Sequence, residues 1–302
     1  MKIALLYEHP TWSSELLARM FGRGLEVTAL DVGELHQSAP DLGGPQDLWI
    51  NRVNTMPSAE RTPSVVATTA HLLLSLEMQG QRVVNGFRSH ALGGSKIAQA
   101  ALFGHLGLAT PASISIRRQA DALAAADTLG YPVLTKPNVG GSGSGIARYD
   151  RRTDLEVAVR AEAIDLGIDG TGLVQKIVES ADGLVHRIEM LGSELFYATR
   201  QSMRAETFNY CAADGCVVAG AGNTIELFAP EPQLVAHAAE VMLASATDVG
   251  SVEFIVDATT GQPCFFDVNP YSNFIAGYEH ELGFDPLDRY LDSVLQRAAN
   301  SA

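Results

Sequence analysis

The sequence predicts an open α/β layer followed by two α+β lobes, and three observations carry that reading. The first third alternates short apolar runs with helix-period segments. The remainder replaces this alternation with strand–turn–strand patterns broken by single helices. A chain of 302 residues with 46% apolar content can bury cores in two or three lobes.

Lys2 to Tyr7 reads as a first strand, Ser13 to Phe21 as a helix, and Glu26 to Leu30 and Leu48 to Val53 as further strands. "SVVATTAHLLLSLEMQG" is a helix ended by Gly80, and "RVVNG" a strand. The pattern loosens around "GFRSHALGGSK", where Ser95 can cap a new helix, so 1–94 forms one unit. The second unit, 95–178, holds that helix, a strand ending near Ile116, the helix "QADALAAADTLG", the strand "PVLTKP", a glycine loop and the strand "GIARYD". Thr153 and Glu156 suggest a capping box for a helix through Ile164, and "GLVQKIVES" is a last strand. The third unit, 179–302, carries a hairpin over "HRIEMLGSELFYATRQ", a helix over "PQLVAHAAEVMLASATDV", a second hairpin and a helix from Pro286.

With 21 basic against 35 acidic residues, the formal charge of -14 repels nucleic acid and anionic membranes as bulk partners. An anion must therefore be bound by local design. The first residues, "MKIALLYEHPTW", read as a strand, not a signal peptide, and no apolar run approaches a membrane span. Cys211, Cys216 and Cys264 lack metal-ligand spacing, which favours a reducing cytoplasm.

In "VLTKPNVGGSGSGIARYD", Lys136 precedes four glycines within Gly140 to Gly145. Such a run is used where the main chain takes positive φ or closely approaches a ligand, and phosphate is the obvious one. The loop fits neither a P-loop nor a dinucleotide fingerprint nor a hydrolase elbow. In "SVEFIVDATTGQPCFFDVNP", a turn at Thr259 to Gly261 sets Glu253 opposite Asp267. Opposed carboxylates destabilise a sheet unless a cation lies between them. Asn269 shares their face, giving an all-oxygen set suited to magnesium that also carries phosphate oxygens.

These stretches resemble the ATP-grasp superfamily, in order from "GSKIAQAALFGHLGLATPAS" through "LGYPVLTKPNVGGSGSGI" and "GLVQKIVES" to "VEFIVD" and "FFDVNP". The resemblance implies a Rossmann-like pre-ATP-grasp domain and two lobes that enclose ATP. It makes Lys96 and Lys136 the nucleotide lysines, Gly141, Ser142, Gly143, Ser144 and Gly145 the phosphate lid, and Gln175, Lys176 and Val178 the hinge at adenine. Glu253, Asp267 and Asn269 match the Mg2+ ligands, which can also accept Mn2+. The branch it resembles is that of amino-acid ligases, including the ribosomal-protein glutamate ligase. Arg187 falls on the arginine of that branch's Asp-Ile-Arg motif, although Val185 replaces its aspartate and Lys176 the hinge glutamate. Glu179 or Asp182 holds the ribose; Arg200, with Arg204, follows a strand toward the site, and Asn209 is an acceptor-site candidate. Arg52 in "NRVN" is a weaker candidate for a substrate pocket.

The implied activity is an ATP-dependent carboxylate–amine ligase, passing through an acyl phosphate and releasing ADP and phosphate. Its substrates are small carboxylates and amines, or a peptide acceptor, and a homo-oligomer is expected. An ATP-grasp phosphotransferase and a nucleotide-binding module without turnover are the alternatives.

Overall fold

A computed structural model describes residues 1–35, 44, 46–55, 64–141, 143–202 and 225–299. Ser142, Arg204, Asn209, Cys211 and Cys216 lie outside the described residues.

The first layer is a parallel sheet in the order β2-β1-β3-β4, made of β1 (Lys2–Tyr7), β2 (Glu26–Asp31), β3 (Leu48–Asn51) and β4 (Val83–Val84). Strand alternation sends Ile3 and Leu5 to one face and Ala4 and Leu6 to the other, and both sets are fully buried. One face packs on α1 (Pro10–Gly22) and the chain's last helix, the other on α2 (Ser64–Met78). The segment that looked irregular in sequence forms a short helix, α3 (Phe87–Gly93).

Helix α4 (Lys96–His105) is capped by Ser95, whose Oγ accepts from the Ala98 N–H at 3.2 Å. Though adjacent in sequence to the second lobe, it gives Phe103 to the core of the third sheet. The second sheet, β5-β8-β6-β7, comprises β5 (Ser113–Ile116), β6 (Val133–Pro137), β7 (Ala147–Tyr149) and β8 (Gly172–Lys176), all antiparallel neighbours. Helices α5 (Asp121–Leu129) and α6 (Arg152–Arg160) cover it through Ala122, Ala126 and Leu155. The expected capping box is absent. Helix α6 starts two residues earlier, with Arg151 as its N-cap, and ends at Arg160, so Thr153 is already helical and Glu156 pairs with Arg152.

The third sheet runs β11-β10-β9-β12-β13, from β9 (Leu184–Leu191), β10 (Glu194–Ser202), β11 (Ile225–Leu227), β12 (Val249–Val256) and β13 (Pro263–Asn269). One face is a core: Ile188, Met190, Val252 and Phe254 pack under α7 (Pro232–Ser245) and α4. The short α8 (Glu279–Leu282) and α9 (Pro286–Ala299) return the chain to the first layer, where Tyr290, Leu291 and Val294 are buried against it. Asn85, at φ 55, ties the layers together. Its amide donates to the Val249 carbonyl at 2.7 Å and to the Pro270 carbonyl, and accepts from the Asp248 N–H at 2.9 Å.

Candidate functional site

The polar face of the third sheet meets the second sheet across an open cleft. Lys96, Lys136, Glu253, Asp267 and Asn269 converge at one end, and the loop residues Gly141, Gly143 and Ser144 border it. Lys96 stands on the first turn of α4 and bonds Asp267. Lys136 lies on β6, just before the loop, and is 8% exposed. Burial, and then the neighbouring Lys96 charge, lower its ammonium to about 8, against a smaller opposing pull from Asp267.

Glu253 and Asp267 face each other, but the register reaches that pairing by an unexpected route. Nearest the turn, Phe254 pairs with Phe265; a bulge at Phe266 then shifts the register, so that Glu253 meets Asp267 and Ser251 meets Asn269. Without that bulge, Glu253 would oppose a phenylalanine. Burial raises the Glu253 carboxyl; Arg187 opposes this shift and Asp267 adds to it. Protein cations already stand at both acids, with Arg187 Nη1 donating to Glu253 Oε1 at 2.8 Å and Lys96 on Asp267. Paired oxygens that draw in cations fit a hard divalent ion. No group of three His, Cys, Asp or Glu suited to a metal occurs among the described residues, so Asn269 and phosphate oxygens would complete the shell.

The other end of the cleft is apolar: Leu134, Val178, Val185, Ile255 and Phe266 line it. Gln175 and Lys176 border this end, with Gln175 Nε2 donating to Ser113 Oγ at 2.8 Å. Lys176 Nζ donates to the carbonyls of Gly130 and Tyr131 at 2.8 and 2.9 Å, which binds the hinge lysine to the preceding turn. Glu179 lines the cleft and accepts from Arg148 Nη1 at 3.1 Å. Asp182 does not line it; its oxygens accept from Ser180, Leu184 and His186.

In the loop, Gly143 and Gly145 have φ values of 72° and 71°. Turn bonds run from Ser144 N–H to the Gly141 carbonyl and from Ile146 N–H to the Gly143 carbonyl. A Cβ at Gly145 would meet the movable end of the Asp165 side chain, so it is the positive φ that favours glycine there.

Arg187 lies beside the Glu253–Asp267 pair, cross-strand from Glu253 and just outside the residues that line the cleft. Arg200 does not. It pairs in register with His186, whereas Thr199 pairs with Arg187, so alternation turns Arg200 to the opposite face, where it meets Glu226. Sequence reasoning missed Glu189 and Ser272. Glu189 is 2% exposed and accepts from Arg187 Nε at 2.7 Å and from Ser272 Oγ at 2.7 Å. Its signal was present: an acid two residues beyond Arg187, and therefore on the same face of the strand. Arg52 reaches across from the first layer, donating to the Ser272 carbonyl at 2.9 Å, with its guanidinium carbon 4.2 Å from the Tyr271 ring centroid. The Cys264 thiol is buried and pushed up to about 11 by desolvation, which leaves it unreactive.

No family model and no curated protein matches the chain by sequence. Solved structures match over nearly its whole length. A RimK-domain ATP-grasp protein from Sphaerobacter thermophilus is 20% identical at a TM-score of 0.69, covering 98% of this chain and 100% of that one. The D-alanine–D-alanine ligase of Bacillus anthracis, complexed with ATP, is 15% identical at 0.69 and covers all of both chains. The ATP-grasp ligase PsnB, complexed with a minimal precursor, Mg and ADP, is 16% identical at 0.67 and covers 98% of this chain and 97% of that one. The order of three sheets, the cleft between the second and third, and these matches together identify the chain as having the ATP-grasp fold.

Proposed function

We propose that the cleft binds magnesium–ATP and that the protein is an ATP-dependent carboxylate–amine ligase. The observation that carries this reading is the polarity of the cleft: an apolar slot at one end, and two lysines with opposed carboxylates at the other. A nucleoside triphosphate has the same polarity, with a planar base and a tetra-anionic tail. The fold adds to it, since D-alanine–D-alanine ligase and PsnB are ligases.

In this reading, Leu134, Val178, Val185, Ile255 and Phe266 sandwich the base. Glu179, which lines the cleft, would take the ribose hydroxyls in preference to Asp182, whose oxygens are held by its own turn. Lys96 and Lys136 neutralise the phosphates, and loop N–H groups cover them. Magnesium, held by Glu253, Asp267 and Asn269, would screen the charge of the transferring phosphoryl group. Lys96 would then leave Asp267, and Arg187 Nη1 would leave Glu253, and both would turn to phosphate oxygens. A substrate carboxylate attacks the γ-phosphorus, ADP leaves, and an amine displaces phosphate from the acyl phosphate to form an amide. Arg187 would stabilise the charge that develops on the acyl and phosphoryl oxygens. Closure of the loop excludes water that would hydrolyse the intermediate. No protein nucleophile takes part. The acceptor is a free amino acid or a peptide; PsnB, solved with a precursor, illustrates the second class.

The test is a pairwise screen of amino acids and short peptides for phosphate release from magnesium–ATP. Release that requires both a carboxylate and an amine supports the ligase. Release with a hydroxyl acceptor retained as a phosphate ester would identify a phosphotransferase instead.

A further inference from the structure

We propose that Glu189 is a positioning residue, which holds Arg187 on the site face when Glu253 turns to the metal. This rests on the functional reading above. Arg187 spans two buried carboxylates: Nε donates to Glu189 Oε1 at 2.7 Å and Nη1 to Glu253 Oε1 at 2.8 Å, while Nη2 lies 3.3 Å from Ser272 Oγ. The two acids have different surroundings. Glu253 lines the cleft, opposite Asp267, and is a candidate metal ligand. Glu189 is two pairs further along the sheet, between Tyr197 on β10 and Ser251 on β12, and does not line the cleft.

The guanidinium is therefore anchored at Nε, beside its stem, and is exchangeable at Nη1. A divalent ion that takes the Glu253 oxygens removes the Nη1 partner but leaves Nε and Nη2 held, so Arg187 keeps its plane and presents Nη1 to the phosphoryl end of the cleft. The anchor is itself fixed. Ser272 Oγ donates to the same Glu189 oxygen at 2.7 Å, and the Ser272 carbonyl receives Arg52 of the first layer at 2.9 Å. A purely structural role is a poor account of Glu189. Its Oε2 is buried with no hydrogen-bond partner among the described residues, and a buried ion pair seldom stabilises a fold more than an apolar replacement does.

Without Glu189, the carboxylate that still faces Arg187 across the strands is Glu253, and the cation competes directly with the metal. The experiment is a double-mutant cycle read by binding of ADP at increasing Mg2+, using calorimetry on the full chain, with melting curves alongside. Glu189→Ala should raise the Mg2+ concentration needed for half-maximal ADP binding by about fivefold or more. Glu189→Gln keeps an oxygen acceptor of the same length and should lie between that variant and the parent. Ser272→Ala, which removes no charge, should shift the midpoint in the same direction by about twofold. In an Arg187→Met background, Glu189→Ala should have no further effect, because the competing cation is gone. An effect of equal size with and without Arg187 would overturn the inference, as would an unchanged midpoint in the single variants. Should Glu189→Ala fail to fold, Glu189→Gln and Ser272→Ala carry the same cycle and the same criteria. A parent chain that binds no magnesium–ADP would overturn the functional reading and this inference with it. A parent that binds it, with Arg187-independent shifts, would overturn this inference alone.

Discussion

Lys136 is the residue on which pH should act first. Its ammonium is lowered to about 8 in the free protein because it is buried beside Lys96, whereas phosphate oxygens would favour the charged form. Nucleotide binding above that pH must then take up a proton. The dissociation constant of magnesium–ADP should rise by up to about tenfold per unit above pH 8, and it should rise again below about 7, where the raised Glu253 carboxyl takes up a proton and gives up its metal-binding charge. Calorimetry in two buffers of different ionisation heat reads the proton uptake directly, and Lys136→Met should bind weakly with no such slope. The sign for stability is opposite. The unfolded chain keeps this proton up to its ordinary value of 10.5, so between about 8 and 10.5 the folded state binds fewer protons and the contribution of Lys136 to stability rises with pH. Arg187→Ala should lower turnover about 100-fold while changing ADP affinity by less than about threefold, because its proposed partner carries full charge only during reaction. Lys136 stood out in the sequence as a lysine before a glycine run, whereas Arg187 was singled out by resemblance to the Asp-Ile-Arg motif. Glu189 was missed because an acid in a strand has no motif; its meaning lies in the partner two positions away.

At the scale of elements, the sequence pattern located the site-forming strands but not their exact joins. Simple counting from the turn paired Glu253 with Asp267, yet the pairing depends on a bulge at Phe266 that periodicity cannot reveal, since two adjacent phenylalanines hide the extra residue. Likewise the Thr153–Glu156 spacing looked like a cap, but Arg152 already lies in the helix and pairs with Glu156. The glycine loop joins β6 to β7, and Gly143 needs positive φ. Gly143→Val should weaken magnesium–ADP binding by about tenfold through backbone strain in the closed loop, with a melting temperature within about 2 °C of the parent because the loop belongs to no core. A melting loss larger than the binding loss would make the loop structural. Asn85 joins elements of different layers. Asn85→Ala removes the donor and the acceptor that serve Val249, Pro270 and Asp248, so it should cost about 2–4 kcal/mol in denaturant unfolding, without a direct effect on the cleft.

For the whole molecule, three sheets were legible as three stretches of sequence, but their assembly was not. Helix α4, which follows the expected boundary at residue 94, packs against the third sheet and carries Lys96 to Asp267. The same arrangement brings Arg52 from the first layer to the strand end at Ser272. Among the described residues no helix is long and apolar enough to cross a membrane. The excess of acidic residues leaves the lysines of the cleft as a local exception within a negative field, which suits a bound anion neutralised by magnesium. In the proposed reaction, this cleft activates a carboxylate by transferring the terminal phosphoryl group of ATP to it. A carboxylate substrate labelled with oxygen-18, followed through one round of turnover with magnesium–ATP and an amine, tests that transfer. One labelled oxygen should appear in inorganic phosphate, released together with ADP and the amide. Unlabelled phosphate, or AMP and pyrophosphate as products, would rule the transfer out.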